Sequence, residues 1–558
     1  MMQQTSDATT NNDNRPLRLS VFGTHIHQSN GYSKVVYELL HKLSTHPDLK
    51  LSLFGFQSDQ RRRNIRKLPD GVTIFDAAQF EYPRLKGFGF QLVKEFINAN
   101  KPDVLIIFND IAVIRNVLNE LEKHYPRPWA FKVILYVDQV YGTQNRRLLD
   151  SVVESADAVM VFSPSWMERL VLQGVKLPCR DIPHGLNSTT FYPVPRELSR
   201  LYHGFPEEPF MVLNLNRNQP RKRWDICLQA WALFVNSVIE HNGVSRVPPV
   251  RLIVGTSRQG AWNLPELYKL LLEQHSIPED IGMKCISFVD NPQNMTDREI
   301  NLLYNACDVG INTCDGEGFG LCNFEHAAVG KPQILPALGG ITDIFDSECS
   351  LLIDPVATFF VDAERGGVLG GEAKMCSHVD FSNALMVYYK NINLRLEHGA
   401  RCRKTILERY KWSDIANKTK NFVIEIATGE SVERDATGHS NPSNLSTTIT
   451  PEEGESTKDL HANKAIQAIN DLYRDVEKEF SFPTVPSYHD DSRKERENKN
   501  EKEEKKEQSA INVQRIVQEI SAMQSKLQNL ELATQALLIE HAGEEPKKID
   551  DGINGNRM

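Results

Sequence analysis

Short apolar runs of strand length alternate with amphipathic stretches of helical period, and this grammar occurs twice along the chain. In the first run "LRLSVFG", "LKLSLFGF", "VTIFDA", "DVLIIFND", "FKVILYVD" and "DAVMVFS" read as strands, with helical stretches between most of them. After the loop "THIHQSNGYS", for example, Val35, Val36, Leu39, Leu40 and Leu43 recur at helical spacing. The second run opens at "PFMVLNLN" (Pro209 to Asn216) and continues through "VRLIVG", "CISFVD", "DVGINT" and "QILP". Its helices include Trp224 to Phe234, with Cys227, Ala230, Trp231 and Phe234 on one face, and one opened by the capping box Thr296 to Glu299. Strands alternating with helices imply parallel sheets covered on both faces. The expected fold class is α/β: two doubly wound, Rossmann-like units joined near residues 195–208, with a cleft between them and ligands at the carboxyl ends of the strands.

At 558 residues the chain is long enough for two or three domains. A net charge of -9 and a pI near 6.0 argue against bulk nucleic-acid binding. The polar start "MMQQTSDATTNNDNRP" has no apolar core of a secretory signal, and runs such as "VLIIF" are too short to cross a bilayer. The nine cysteines lie between Cys179 and Cys402 without a C-x-x-C pair. They read as buried small side chains in a reducing, cytoplasmic compartment, not as a zinc site or disulfide frame.

Beyond Gly429 the character changes. Residues 431–455 are rich in Ser, Thr, Asn and Gly, Leu460 to Phe480 reads as one helix, and Asp491 to Gln508 interleaves both signs of charge. Val513, Ile516, Ile520, Met523, Leu527, Leu530 and Leu537 then follow a three-four spacing, with Thr534 in the one polar seam position. That seam predicts a coiled coil and a homo-oligomer; a helix packed back on the globular body is the alternative.

The chemistry concentrates in "CDGEGFGLCNFEHAAVGKP" (Cys314 to Pro332), which leaves a strand, passes Gly316, Gly318 and Gly320, and enters a helix. Glycines let a ligand approach the backbone, and a helix mouth offers unpaired N–H groups to an anion. Glu317 and Glu325 bracket that mouth, spaced for the hexose and the ribose diol of a sugar nucleotide, since carboxylates accept from paired hydroxyls. "NLNRNQPRKRW" (Asn214 to Trp224) adds Arg217, Arg221, Lys222 and Arg223 in an otherwise acidic chain.

Residues 314–332 resemble the E-x7-E signature of retaining glycosyltransferases with the GT-B fold, of the family-four or group-1 type. The resemblance extends over about residues 17–428 through "SADAVMVFSPS", "IPHGLNSTTFYP" (His184 for the family Asn, Asn187 for its Asp), "ALGGITDIF" (Asp343 for Glu) and "RYKWSDIA". It implies a hexosyltransferase that uses a nucleotide-diphosphate sugar, needs no metal or other cofactor, and acts on an unidentified acceptor. Arg217 and Lys222 match the family's diphosphate clamp. Glu325 would hold the ribose, and Glu317 with Gly318, Phe319, Gly320 and Leu321 the hexose. Gly31 and Asp138 would face the cleft from the first domain, Asp138 standing where many members carry a histidine; capping the next turn is its alternative role.

The implied layout is a tail (1–16), an acceptor domain (17–200), a donor domain (201–405), a helix crossing back (406–430), a linker with a helix and charged spacer (431–510), a coiled coil (511–542) and a tail (543–558). Arg61 to Lys67 ("RRRNIRK") reads as a solvated loop, with docking of an anionic acceptor or a peripheral membrane surface as the alternative. Asp362 to Asp380 matches nothing in the family pattern and reads as a surface insertion. Two rivals stay open: a nucleotide-sugar epimerase on the same fold, and an inactive scaffold that assembles partners through the coiled coil.

Overall fold

The computed structural model describes residues 15–59, 66–81, 87–242, 247–361 and 370–430. The expected tails, linker and coiled coil, most of the basic run 61–67 and residues 362–369 lie outside them.

The first lobe is a parallel sheet of β1 (Leu17–Thr24), β2 (Leu49–Phe56), β3 (Thr73–Asp76), β4 (Val104–Asn109), β5 (Lys132–Val137), β6 (Ala158–Val161) and β7 (Cys179–Asp181). Its order is β3-β2-β1-β4-β5-β6-β7, so the winding reverses between β1 and β4. Those two strands are buried nearly throughout, as a strand covered on both faces must be. The second lobe repeats the plan with β8 (Phe210–Asn214), β9 (Val250–Gly255), β10 (Ile286–Val289), β11 (Val309–Ile311), β12 (Gln333–Pro336) and β13 (Ser350–Ile353), in the order β10-β9-β8-β11-β12-β13. Every pairing within these two sheets is parallel. The two reversal points, β1/β4 and β8/β11, are where such sheets leave a crevice for ligands.

Local signals set the helix ends. Asn30 caps the helix Gly31–Leu43 through its side chain, and Thr296 with Glu299 forms the expected capping box of the helix Asp297–Ala306. The last helix, Trp412–Thr428, crosses back to the first lobe, where Lys418 pairs with Asp181 at 2.8 Å and Glu425 with Arg180 at 2.9 Å. The helix Arg196–His203 straddles the expected boundary at residue 200, and the buried Arg200 ties it to the second lobe through Asp308 at 2.9 Å. No helix among the described residues is long and apolar enough to cross a membrane.

Two segments behave differently from their reading as surface features. Strand β14 (Pro355–Val361) pairs antiparallel with β15 (Gly371–Cys376), so part of the expected surface insertion is built structure. This hairpin laces to the first lobe: Gly142 N–H donates to the Glu372 carbonyl (3.0 Å) and Glu372 N–H to that of Thr143 (3.2 Å), while Ala373 is buried beside Val140 and Tyr141. In the basic run, Arg66 is not solvated. It is buried and donates to the Ile26 carbonyl, to Ser33 Oγ and to Asp297 of the other lobe, because a buried guanidinium must find acceptors.

Candidate active site

The loops that follow β8 and β11 meet at the carboxyl edge of the second sheet. After β8 the chain passes the exposed Arg217 and makes a 3-10 turn at Pro220–Lys222, after which Arg223 takes a left-handed conformation (φ 47°). The turn sends Arg221 and Lys222 inward. Arg221 donates to the Gly316 carbonyl at 3.0 Å and accepts at its own carbonyl from Asp315 N–H, also 3.0 Å. Thr313 Oγ1 donates to the Arg223 carbonyl at 3.0 Å, so the two loops are stitched together. Gly320 caps the helix Leu321–Ala328 at φ 82°, where a side chain would be strained.

Glu317 is the hub of this edge. Lys222 Nζ donates to its Oε2, Arg221 Nη1 lies 3.6 Å from Oε1, and Asn312 Nδ2 donates to Oε2 at 3.4 Å. Burial alone would raise this carboxyl, but Lys222 and Arg221 hold it down at about 2. Burial would likewise lower the Arg221 pKa, yet Glu317 and Asp138 raise it well above its ordinary value. Two cations beside a glycine loop, one of them shared between Glu317 and Asp138, form a fixed pair that an anion can draw on.

The first lobe closes directly on this edge. Asp138, in the loop after β5, faces Gly318 so closely that a Cβ there would lie 2.3 Å from Asp138 Oδ1. Tyr32 OH donates to Asp138 Oδ2 at 2.5 Å. Burial raises the Asp138 pKa, opposed by the Tyr32 bond and by Arg221. Trp166 Nε1 donates to the Gly318 carbonyl at 2.7 Å, Tyr141 OH to Asp315 Oδ1 at 3.3 Å, and Ser165 Oγ to Asp343 Oδ1 at 2.7 Å. Gly31 approaches Leu321, where a Cβ would sit 3.3 Å from the leucine methyl.

Glu325 forms a second, separate group. Lys34 of the first lobe donates to Oε1 and Oε2 at 2.7 and 2.9 Å, and Tyr304 OH to Oε2 at 3.0 Å. Burial raises the Glu325 pKa, with Lys34 opposing it. Lys34 also lies 3.6 Å from Asp297, which Arg66 holds at 3.1 Å. A cavity of about 30 Å³ opens among Lys34, Glu38, Arg66, Asn187, Asp297 and Glu325.

The expected site residues therefore fall into two neighbourhoods. Lys222, Glu317, Gly318 and Asp138 share one; Gly31, Leu321 and Glu325 share the other. Arg217 joins neither: it is exposed on the loop after β8, while Arg221, four positions on, lies beside Glu317. The Phe319 side chain packs between His184 and Phe324, at ring separations of 4.5 and 5.1 Å. Burial pushes His184 down to about 3, so its ring is neutral. Asn187 shapes its own turn and donates to Glu38 at 2.7 Å. Sequence reasoning missed Tyr32, Lys34, Trp166 and Tyr304. The signal for the first two was position, since they follow the cleft glycine Gly31 on a helix whose other face carries the core.

No family model matches the chain. The D-inositol 3-phosphate glycosyltransferase of Acidothermus cellulolyticus is 29% identical over 176 residues, 31% of this chain and 37% of that protein. The chain thus spans little over a third of the length of the curated relatives it matches. Among solved structures, sucrose-phosphate synthase from Thermosynechococcus elongatus superposes with a TM-score of 0.55 at 17% identity, over 74% of this chain and all of that one. Anabaena HepE in complex with UDP and glucose gives 0.51 at 13% identity, over 73% and 100%. The chain is similar in sequence to glycosyltransferases of the group-1 type, and its two facing lobes have their GT-B fold.

Proposed function

We propose that this protein is a cytoplasmic glycosyltransferase that moves a hexose from a nucleotide-diphosphate sugar to an acceptor hydroxyl, with retention of configuration. The observation that carries the reading is the buried Glu317 held between Lys222 and Arg221 on a glycine loop, facing Asp138 across the lobes. Lys222 and Arg221, with Arg217 beside them in the chain, neutralise the charge that grows on the departing diphosphate; fixed cations act there without reorganising. Glu317 accepts from the hexose hydroxyls once the sugar displaces part of its ion pair, Glu325 accepts from the ribose, and Asp138 Oδ1 accepts from the sugar on the opposite side. The departing phosphate oxygen takes the acceptor proton, and no metal or other cofactor enters the reaction. HepE is a complex with UDP and glucose, so a uridine donor heads the test.

The test is calorimetric titration of the full chain with UDP-, GDP- and ADP-glucose, followed by mass spectrometry of products with and without a mixed panel of acceptors. We expect one donor to bind and to yield a glycosylated product or slow hydrolysis, unaffected by EDTA. Isomerisation of the donor in the absence of acceptor would make the chain an epimerase. Absence of binding to these donors and to UDP, GDP and ADP would put the scaffold ahead.

A further inference from the structure

Lys34 crosses from one lobe to a carboxylate of the other, and the E-x7-E pattern offers no reason for it. Its Nζ donates to both oxygens of Glu325, at 2.7 and 2.9 Å, and Tyr304 adds a third bond to Oε2 at 3.0 Å. A carboxylate has about four lone-pair sites, so these three bonds leave one, on Oε1. Lys34 is itself held in place: Asp297 lies 3.6 Å away, Arg66 anchors Asp297 at 3.1 Å, and the ammonium sits 4.7 Å from the centre of the Phe191 ring. Arg66 in turn donates to the Ile26 carbonyl and Ser33 Oγ, near the start of the helix that bears Lys34. The arrangement is a braced cation, not a mobile surface lysine.

We propose that Lys34 is a positioning residue for the donor nucleoside: it fixes the Glu325 carboxylate so that a single acceptor site faces one ribose hydroxyl. This rests on the reading of Glu325 as the ribose acceptor. Its consequence is that nucleoside selection needs both lobes, since the acceptor belongs to the second and the group that orients it to the first. Without Lys34, Glu325 keeps, among the described residues, only the Tyr304 bond and is free to turn about its own stem, so one hydroxyl is no longer favoured over the other.

The experiment titrates the full chain with UDP, GDP and ADP, then compares the tightest of these with its 2′-deoxy and 3′-deoxy analogues. Wild type is expected to lose about tenfold or more for one deoxy analogue and less than about threefold for the other, the span of a hydrogen bond to a charged acceptor. In Lys34→Met both analogues should bind within about threefold of the ribonucleotide, and Lys34→Arg should restore part of the preference. Lys34→Gln replaces the Met variant should that fail to fold. Unchanged selectivity in Lys34→Met or Lys34→Gln overturns the inference, as does tighter binding of the ribonucleotide, which would make Lys34 a competitor for Glu325. Equal binding of all three nucleotide forms by wild type removes the Glu325 assignment and the inference with it. Failure to bind any of UDP, GDP and ADP is a different result: it removes the proposed function itself.

Discussion

Replacing Lys222 by Met keeps the length of the stem and removes the charge on which Glu317 rests. In the intact chain the Glu317 carboxyl sits at about 2 against an ordinary 4.5. At 1.36 kcal/mol per pH unit that depression corresponds to about 3 kcal/mol of stabilisation. Solvent screening takes little of it, because the two side chains are only 8% and 9% exposed. A carboxyl held below its unfolded value contributes fully above that value, and the contribution is lost progressively as pH falls from 4.5 through about 2. Wild type should therefore show no pH dependence from this group near neutrality. In Lys222→Met the nearest cation is Arg221 at 3.6 Å, and the burial that pushes Glu317 up meets less opposition. Removing one partner of a buried pair costs about 3–5 kcal/mol. As pH drops from about 7.5 to about 5, Glu317 takes up a proton in the variant and the cost shrinks.

The assay is urea unfolding of wild type, Lys222→Met, Glu317→Gln and the double variant, followed by tryptophan fluorescence at both pH values. The double variant should cost less than the sum of the single ones by about 2–3 kcal/mol, since neither leaves the other's charge stranded. Additivity within about 0.5 kcal/mol, with a gap that does not change with pH, would refute the reasoning.

Asp315 is the opposite case: burial raises its carboxyl to about 6 despite Arg223, so it costs stability once pH rises through that value. Asp315→Asn keeps an acceptor for Tyr141 and should raise Tm by about 2–4 °C above pH 7, with the gain gone below about pH 4; a loss of Tm at neutral pH would count against it. Gly318→Ala places a methyl 2.3 Å from Asp138 Oδ1 and 3.3 Å from the Phe162 ring, so the facing loops must part. It should cost about 1–3 kcal/mol and shift the emission of Trp166, whose indole donates to the Gly318 carbonyl; an unchanged melt and spectrum would show that the lobes do not meet there.

Much of the scaffold was legible because its causes are local. Short continuous apolar runs and period-3.6 runs marked the strands and helices, Thr296 and Glu299 announced their capping box, and the glycines of residues 316–320 announced a backbone loop before a helix. Legibility failed where a side chain's role depends on a turn or on a distant partner. Arg217 and Arg221 look alike in the sequence, and the 3-10 turn at Pro220 decides that Arg221 goes inward. Gly-rich residues 370–376 read as insertion because their partners, β14 and the loop around Thr143, are a strand and a lobe away. Arg66 read as a solvated cation because its acceptor, Asp297, lies 231 residues further on.

By itself the sequence determined two doubly wound units, the glycine loop and the pair of glutamates, since hydrophobic period and backbone freedom are properties of neighbouring residues. Only the tertiary structure decided which charges pair. Lys34 and Glu325 are 291 positions apart, and Lys222 and Glu317 are 95 apart. Coulombic attraction and desolvation act through space, and they select partners only after the sheets have formed and the two lobes have closed.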